Sequence, residues 1–228
     1  MIDSEKNGVR FMKNYLMIFL SAVIAGMFIA FGATLYLTSA IHEGYIYKII
    51  GSFLFGIGLF TIIQFGFWLY TGKVGYILDN KPKYLISLLI CLIGNILGVS
   101  ILASILKQTH IINNDIINLC KSMVETKQNE TWYEVIILSA MCGIMIYLAV
   151  EGHKKCEYAF GKVIFAFMPI VLFILCGFEH VVANVCYYTY AGLFNGKVVL
   201  YFLLMAIGNG LGSLLFDGSR KIIDKLKA

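Results

Sequence analysis

Cys176-Gly177-Phe178-Glu179-His180-Val181-Val182-Ala183-Asn184 sets a carboxylate beside an imidazole in the middle of a long apolar run. An ionisable group at that depth in an apolar segment is costly unless it faces a cavity or a partner, so function is its default reading. On a helix Asn184 shares the His180 face at i+4, whereas Glu179 points elsewhere and is expected to bond backbone groups freed by a break at the glycine. A structural histidine tied to a neighbouring helix is the competing reading. His42, His110 and His153 lie near predicted loops and are expected to be solvated.

The rest of the chain has the same apolar character. Its 228 residues are 60% hydrophobic and 14% charged, with a mean hydropathy of +0.83. A soluble domain is nearer half apolar and a quarter charged, and one core of this size could not hide the surplus. A soluble enzyme, a disordered chain and a nucleic-acid-binding domain are therefore excluded. What remains is an all-α membrane protein with about six spans. The apolar segments run over roughly 15–41, 46–78, 84–106, 132–151, 159–194 and 197–217. The second and fifth are too long for one straight helix, and each has polar or glycine-rich residues in its middle. The first is far longer than the ~7–15 residues of a signal core, so no cleavable signal is expected. The six cysteines include no CxxC pair, so they read as small apolar filler, and no metal or other cofactor is signalled.

Lysine and arginine give the orientation. Thirteen of the 18 basic residues fall in the N-terminal arm (Lys6, Arg10, Lys13), around the second and fourth loops, and in the tail. Lys48, Lys107, Lys121, Lys127 and Lys197 lie on the other side. The positive-inside bias puts both termini in the cytoplasm, which an even number of spans satisfies. The formal charge of +5 reports this topology.

A short string repeats. Gly94-Asn95-Ile96-Leu97-Gly98 lies in the third segment and Gly208-Asn209-Gly210-Leu211-Gly212 in the sixth. In each half the segment before it is the interrupted one. Three spans plus three spans means halves of opposite orientation, repeat one over about 15–106 and repeat two over about 132–217 of a single channel domain. The glycines let backbones approach, and the asparagine can bond across the contact. The first interruption is placed at Leu69-Tyr70-Thr71-Gly72-Lys73-Val74-Gly75, where two glycines free the backbone. The alternative is that the second span simply ends near Gly72.

Gly177-Phe178-Glu179-His180 followed by Ala183-Asn184 resembles the signature of the formate/nitrite transporter family, which includes hydrosulfide channels. Leu69-Tyr70-Thr71-Gly72, the first span with Ala25-Gly26 and Phe31-Gly32, and the final GNxLG string are similar to that family too. The resemblance implies a homopentamer of six-helix, aquaporin-like protomers in the cell inner membrane, with helices 2 and 5 broken. Each protomer would carry its own pore for a small monovalent anion. It also implies His180 as the central histidine that gates or protonates the anion, Thr71 as its partner, and Lys127 as the family's lysine ahead of span 4, followed by Glu134. Phe55, Leu59 and Phe173 match one apolar constriction, and Leu69 and Tyr70 the second. Two departures stand out: Lys73-Val74-Gly75 replaces an asparagine-rich run, and Gly143 stands where many members have asparagine. The compact Thr-Gly-Lys loop favours hydrosulfide or formate over nitrite.

On this reading Lys127 and the basic vestibules concentrate anions, an effect weakened by salt. The apolar rings exclude hydrated ions. An intramembrane enzyme using Glu179 and His180 lacks a nucleophile and a second metal-spaced histidine. A purely structural subunit leaves paired broken helices unexplained. The runner-up is an aquaporin-like channel for small neutral solutes, although its Asn-Pro-Ala boxes are absent, since Val185 follows Asn184.

Overall fold

The computed structural model describes residues 2–227, with side chains from residue 12 onward. The side chains of Lys6 and Arg10 lie outside the described residues. The described chain is helical throughout: α1 Ile2–Ala40, α2 Tyr45–Phe65, α3 Tyr70–Lys73, a 3-10 segment Val74–Asp79, α4 Tyr84–Leu106, α5 Asn114–Asn129, α6 Trp132–Lys155, α7 Ala159–Leu175, α8 Val181–Ala191 and α9 Gly196–Lys227. Five stretches, Met12–Ala40 within α1, α2, α4, α6 and α9, are long and apolar enough to cross a membrane. Helix α7 is equally apolar, but its 17 residues reach only about 25 Å at 1.5 Å per residue, short of a hydrocarbon core of about 30 Å.

Two pairs of long helices carry the architecture. Helix α1 lies along α4, and α6 along α9. Helix α2 flanks α1, α7 flanks α6, and α2 meets α7, while the short α8 rests on α4 and α5. The repeated glycines explain the close pairing. A Cβ on Gly98 would run into the Val23 carbonyl, and one on Gly212 into the Ala140 carbonyl. The other glycine of each string is as tight: a Cβ on Gly94 would sit 2.8 Å from that of Ala22, and one on Gly208 would sit 2.5 Å from that of Ser139. Small residues at such contacts are the usual basis of close helix packing in membranes, where apolar side chains gain nothing by leaving lipid.

Helix α4 coincides with its expected segment, but α1, α6 and α9 run on through polar residues at their ends. Helix α5 lies between the expected segments 84–106 and 132–151, where apolar length marks no span. Asn113 caps it, its Oδ1 accepting from the Ile116 N–H at 3.0 Å. Ile116, Cys120, Val124 and Lys127 form its buried stripe, at helical spacing in an otherwise polar stretch.

Both interruptions begin at a Gly-Phe pair. Helix α2 ends at Phe65, Gly66 takes φ 69°, and the Gly66 and Phe67 N–H groups donate to the Ile63 and Ile62 carbonyls at 3.2 and 3.0 Å. Helix α7 ends the same way: Gly177 has φ 71°, and Gly177 and Phe178 donate to Ile174 and Phe173 at 3.1 and 2.9 Å. This is the left-handed glycine stop, which an L side chain resists. The first helix therefore stops at Gly66, ahead of the expected Leu69–Gly75 stretch. Gly72 sits inside α3 against Val150, and Gly75 leaves room for the Tyr147 ring.

Candidate functional site

After each glycine stop the backbone is held by one asparagine of the repeated string. Asn95 Oδ1 accepts from the Tyr70 N–H at 2.8 Å, and its Nδ2 donates to the carbonyls of Trp68 and Ala22, both at 2.8 Å. Asn209 Oδ1 accepts from the Val181 N–H at 3.0 Å, and its Nδ2 donates to Glu179 and Ser139 carbonyls, both at 2.8 Å. Each asparagine thus brackets a three-residue stretch that leads into a short helix, Trp68-Leu69-Tyr70 into α3 or Glu179-His180-Val181 into α8. The bracketed central residues are Leu69 and His180, each 2% exposed. Backbone groups released from a helix in an apolar setting need such partners.

The two stretches meet at Thr71. Its Oγ1 lies 2.9 Å from His180 Nε2. The other ring nitrogen, Nδ1, accepts from the Ala183 N–H at 3.0 Å and so caps α8. A backbone N–H can only donate, so Nδ1 carries no proton, and Nε2 is the protonated nitrogen that donates to Thr71. Phe173 stacks on the imidazole at 5.7 Å and meets Phe55 edge-on at 5.8 Å between centroids. Phe55 and Leu59, one turn apart on α2, are buried.

Two cavities approach this cluster. A small one of about 50 Å³ is lined by Phe173, His180, Asn184 and Lys127, among others. A larger one of about 630 Å³ reaches Leu59, Leu69 and Gly72. Tyr70 lines neither of the two; its hydroxyl donates to the Ala206 carbonyl at 3.0 Å.

Glu179 and Lys127 differ from expectation. The Glu179 carboxylate is fully buried; it takes the Lys127 ammonium on one oxygen and the Asn184 amide on the other. It does not bond freed backbone groups, because Asn209 already holds its carbonyl and its own N–H donates to Leu138 at 3.3 Å. Lys127 is 9% exposed and belongs to the buried stripe of α5, so it is a buried ion-pair partner more than a free charge at the mouth. Asn184 serves Glu179, with a further contact to Met205 Sδ at 3.0 Å, and stands one helical turn from His180, lining the small cavity beside it.

The Formate/nitrite transporter family model matches residues 4–220. The chain belongs to the formate/nitrite transporter family. The Formate channel FocB of Escherichia coli (strain K12) is 26% identical over 183 residues, 73% of this chain and 64% of that protein. The Formate channel FocA of Haemophilus influenzae (strain ATCC 51907 / DSM 11121 / KW20 / Rd) is 27% identical over 179 residues, 73% of this chain and 63% of that protein. The matched stretches thus span slightly under two thirds of these relatives. A solved structure described as a pentameric formate channel with formate bound has a TM-score of 0.82 at 22% identity, covering 94% of this chain and 98% of that one. A second, described as an FNT family ion channel, has a TM-score of 0.82 at 19% identity, with 93% and 92% covered. These share this chain's fold. The family is made up of membrane channels and transporters, not enzymes.

An ionic cluster links the 3-10 segment, the end of α6 and α9. Tyr147 donates to Asp217 at 2.5 Å and Tyr76 to Glu151 at 2.7 Å. Arg220 and Lys221 pair with Asp217 at 2.9 and 2.6 Å, and Lys155 with Glu151 at 3.4 Å. Asp217 and Glu151 are buried, and the sequence reading passed over both; a lone acid near the end of an apolar segment was the available signal. His153 also departs from the solvated reading. It is buried, its ring 6.3 Å from Phe60 and its Nδ1 3.0 Å from the Lys162 carbonyl. His42 and His110 are exposed as expected. Between α5 and α6, burial and the nearby Glu179 charge push the Glu130 carboxyl up to about 7, against the opposing pull of Lys127. Among the described residues no three His, Cys, Asp or Glu side chains gather as a metal site.

Proposed function

We propose that the chain conducts small monovalent anions of weak acids, formate or hydrosulfide first and nitrite as a further substrate, through a pore within each protomer of a homopentamer. The observation that carries this is the Thr71–His180 pair, set at 2.9 Å between two cavities and flanked by Phe173, Leu59 and Leu69. In this reading α2 with α3, and α7 with α8, are the two broken spans. The protomer then has six spans in two inverted repeats and sits in the inner membrane with both termini cytoplasmic. The matched asparagine brackets support the repeat, and the basic residues support the orientation. The formate-bound structure named above and the formate channels among the relatives support the substrate class and the pentamer.

Bare anions enter a low-dielectric constriction only if donors replace their water. His180 Nε2–H and the Thr71 hydroxyl are two such donors, at present engaged with each other. An anion arriving between them accepts from both and displaces that bond. Loss of the Nε2 proton to the anion would leave an imidazolate, because Nδ1 is already bare. The ring therefore acts as a hydrogen-bond donor, and any proton that accompanies the anion comes from solvent. The test is flux into liposomes with formate, hydrosulfide, nitrite and glycerol. Uptake of the anions, lost in His180→Phe, is the expected result; glycerol uptake without anion uptake would overturn the assignment in favour of a neutral-solute pore.

A further inference from the structure

Two lysines line the larger cavity, and among the described residues neither is in a salt bridge. They are Lys73, on α3, and Lys154, near the end of α6. The Lys73 ammonium sits over the Trp68 ring at 5.3 Å, and that of Lys154 over the Tyr76 ring at 5.4 Å. No carboxylate lines the cavity among the described residues. Carboxylates on the neighbouring elements are engaged elsewhere: Glu151 by Lys155 and Tyr76, Asp217 by Arg220, Lys221 and Tyr147, and Asp79 by Lys221. The rest of the lining mixes apolar side chains, Leu59 and Leu69 among them, with polar ones such as Asn14, Asn80, Tyr84 and Ser87. Two ammonium groups facing one cleft raise the positive potential there, and the polar lining adds donors for a small anion.

We propose that Lys73 and Lys154 form a second anion station, which holds a small monovalent anion in this vestibule one step from the Thr71–His180 pair. The proposal rests on the anion-conduction reading for its role but not for its binding chemistry. Two stations in series let one anion load while another leaves, a condition under which binding and fast exit coexist.

Tryptophan fluorescence tests it directly. The chain has two tryptophans, and Trp132 is 65% exposed at the start of α6. Trp132→Phe in the full chain leaves Trp68, under the Lys73 ammonium, as the sole reporter. Iodide is the anionic quencher and acrylamide the neutral one, at constant ionic strength in detergent. The iodide-to-acrylamide ratio of quenching constants should fall about tenfold in Lys73→Gln with Lys154→Gln and survive in the paired arginine variant. Formate should compete with iodide and leave acrylamide quenching unchanged. Should the double variant unfold, Lys154→Gln alone, at an exposed position, should still lower the ratio. An equal ratio with and without the lysines, or no competition by formate, would overturn the station. Its failure would leave formate flux intact, whereas failure of the conduction reading would abolish flux and leave lysine-dependent quenching in place.

Discussion

Replacing Lys127 by methionine separates two roles for this residue. If Lys127 steers anions from the mouth, its loss slows uptake at low salt and leaves the fold untouched. The structure points the other way. The ammonium is buried on α5 and paired with Glu179, whose other carboxylate oxygen takes the Asn184 amide. Lys127→Met would leave a buried carboxylate with one neutral donor. Removing one partner of such a pair costs about 3–5 kcal/mol, while removing both charges is often near neutral. For a chain of this length each kcal/mol moves the melting temperature by about 2–4 °C, so the single variant should melt about 6–20 °C lower. Adding Glu179→Gln should recover more than half of that loss, a coupling that independent sites do not show. The assay is the apparent melting temperature of detergent-purified protein, followed by the loss of its gel-filtration peak after heating, with formate flux at low and high salt beside it. A Lys127→Met protein that melts with the wild type but loses flux only at low salt would refute the ion-pair reasoning and restore steering.

Four further outcomes follow from the same geometry. Asn209→Leu strips partners from the Val181 N–H and from the Glu179 and Ser139 carbonyls; at about 1–3 kcal/mol for each orphaned group, thermal stability and flux should both collapse, and Asn95→Leu should behave alike. Gly212→Ala should fail to give monodisperse protein, because the new methyl meets the Ala140 carbonyl, whereas Gly218→Ala, with open space around it, should be tolerated. The Glu130 carboxyl, raised from 4.5 to about 7 in the folded protein, favours the folded state when protonated, so the melting temperature should fall as pH rises through about 7 and Glu130→Gln should flatten that slope. His180→Asn keeps a side chain able to cap α8 and a donor for the anion; it should retain formate flux with the wild-type pH profile, and loss of that profile in liposome uptake would show that the ring titrates.

Much of this fold was legible because its pattern is simple. Apolar length alone marked the α4 segment, and the GNxLG repeat marked close backbone contacts, whose partners the structure gives as α1 for α4 and α6 for α9. The Glu179-His180 pair marked the second interruption. The first was misplaced because Gly72 and Gly75 drew attention from Gly66, whose role depends on φ and on the carbonyls it leaves behind. A comparison of Gly66-Phe67-Trp68-Leu69-Tyr70 with Gly177-Phe178-Glu179-His180-Val181 would have found it, since the Gly-Phe pairs stand at the same place before both brackets. Helix α5 escaped because only four of its 16 residues are buried, and one of those is a lysine. The partner of Glu179 escaped for the same reason: Lys127 comes from a helix that hydropathy reads as loop. Asp217 and Glu151 were hidden by the opposite bias, since single acids near the ends of apolar segments look like ordinary boundaries.

The site is assembled from parts that belong to different helix pairs, which is why the two asparagines matter beyond their own bonds. Asn95 is carried by α4 and reaches α1; it fixes Tyr70 and, through it, the Thr71 that follows. Asn209 is carried by α9 and reaches α6; it fixes Glu179 and Val181 on either side of His180. The 2.9 Å separation of Thr71 and His180 is therefore set by two clamps that share no residue. The same clamp geometry presents leucine in one half and histidine in the other. One half contributes an apolar wall, and the other a ring whose far nitrogen is tied to its own helix so that the near one must donate. A symmetric pair of leucines would seal the path, and a symmetric pair of histidines would hold an anion from both sides and slow its release. In the conduction proposed above, one of each, with the Thr71 hydroxyl between them, would bind an anion by few bonds and bound it by apolar surface. That combination is what rapid passage of a dehydrated anion requires.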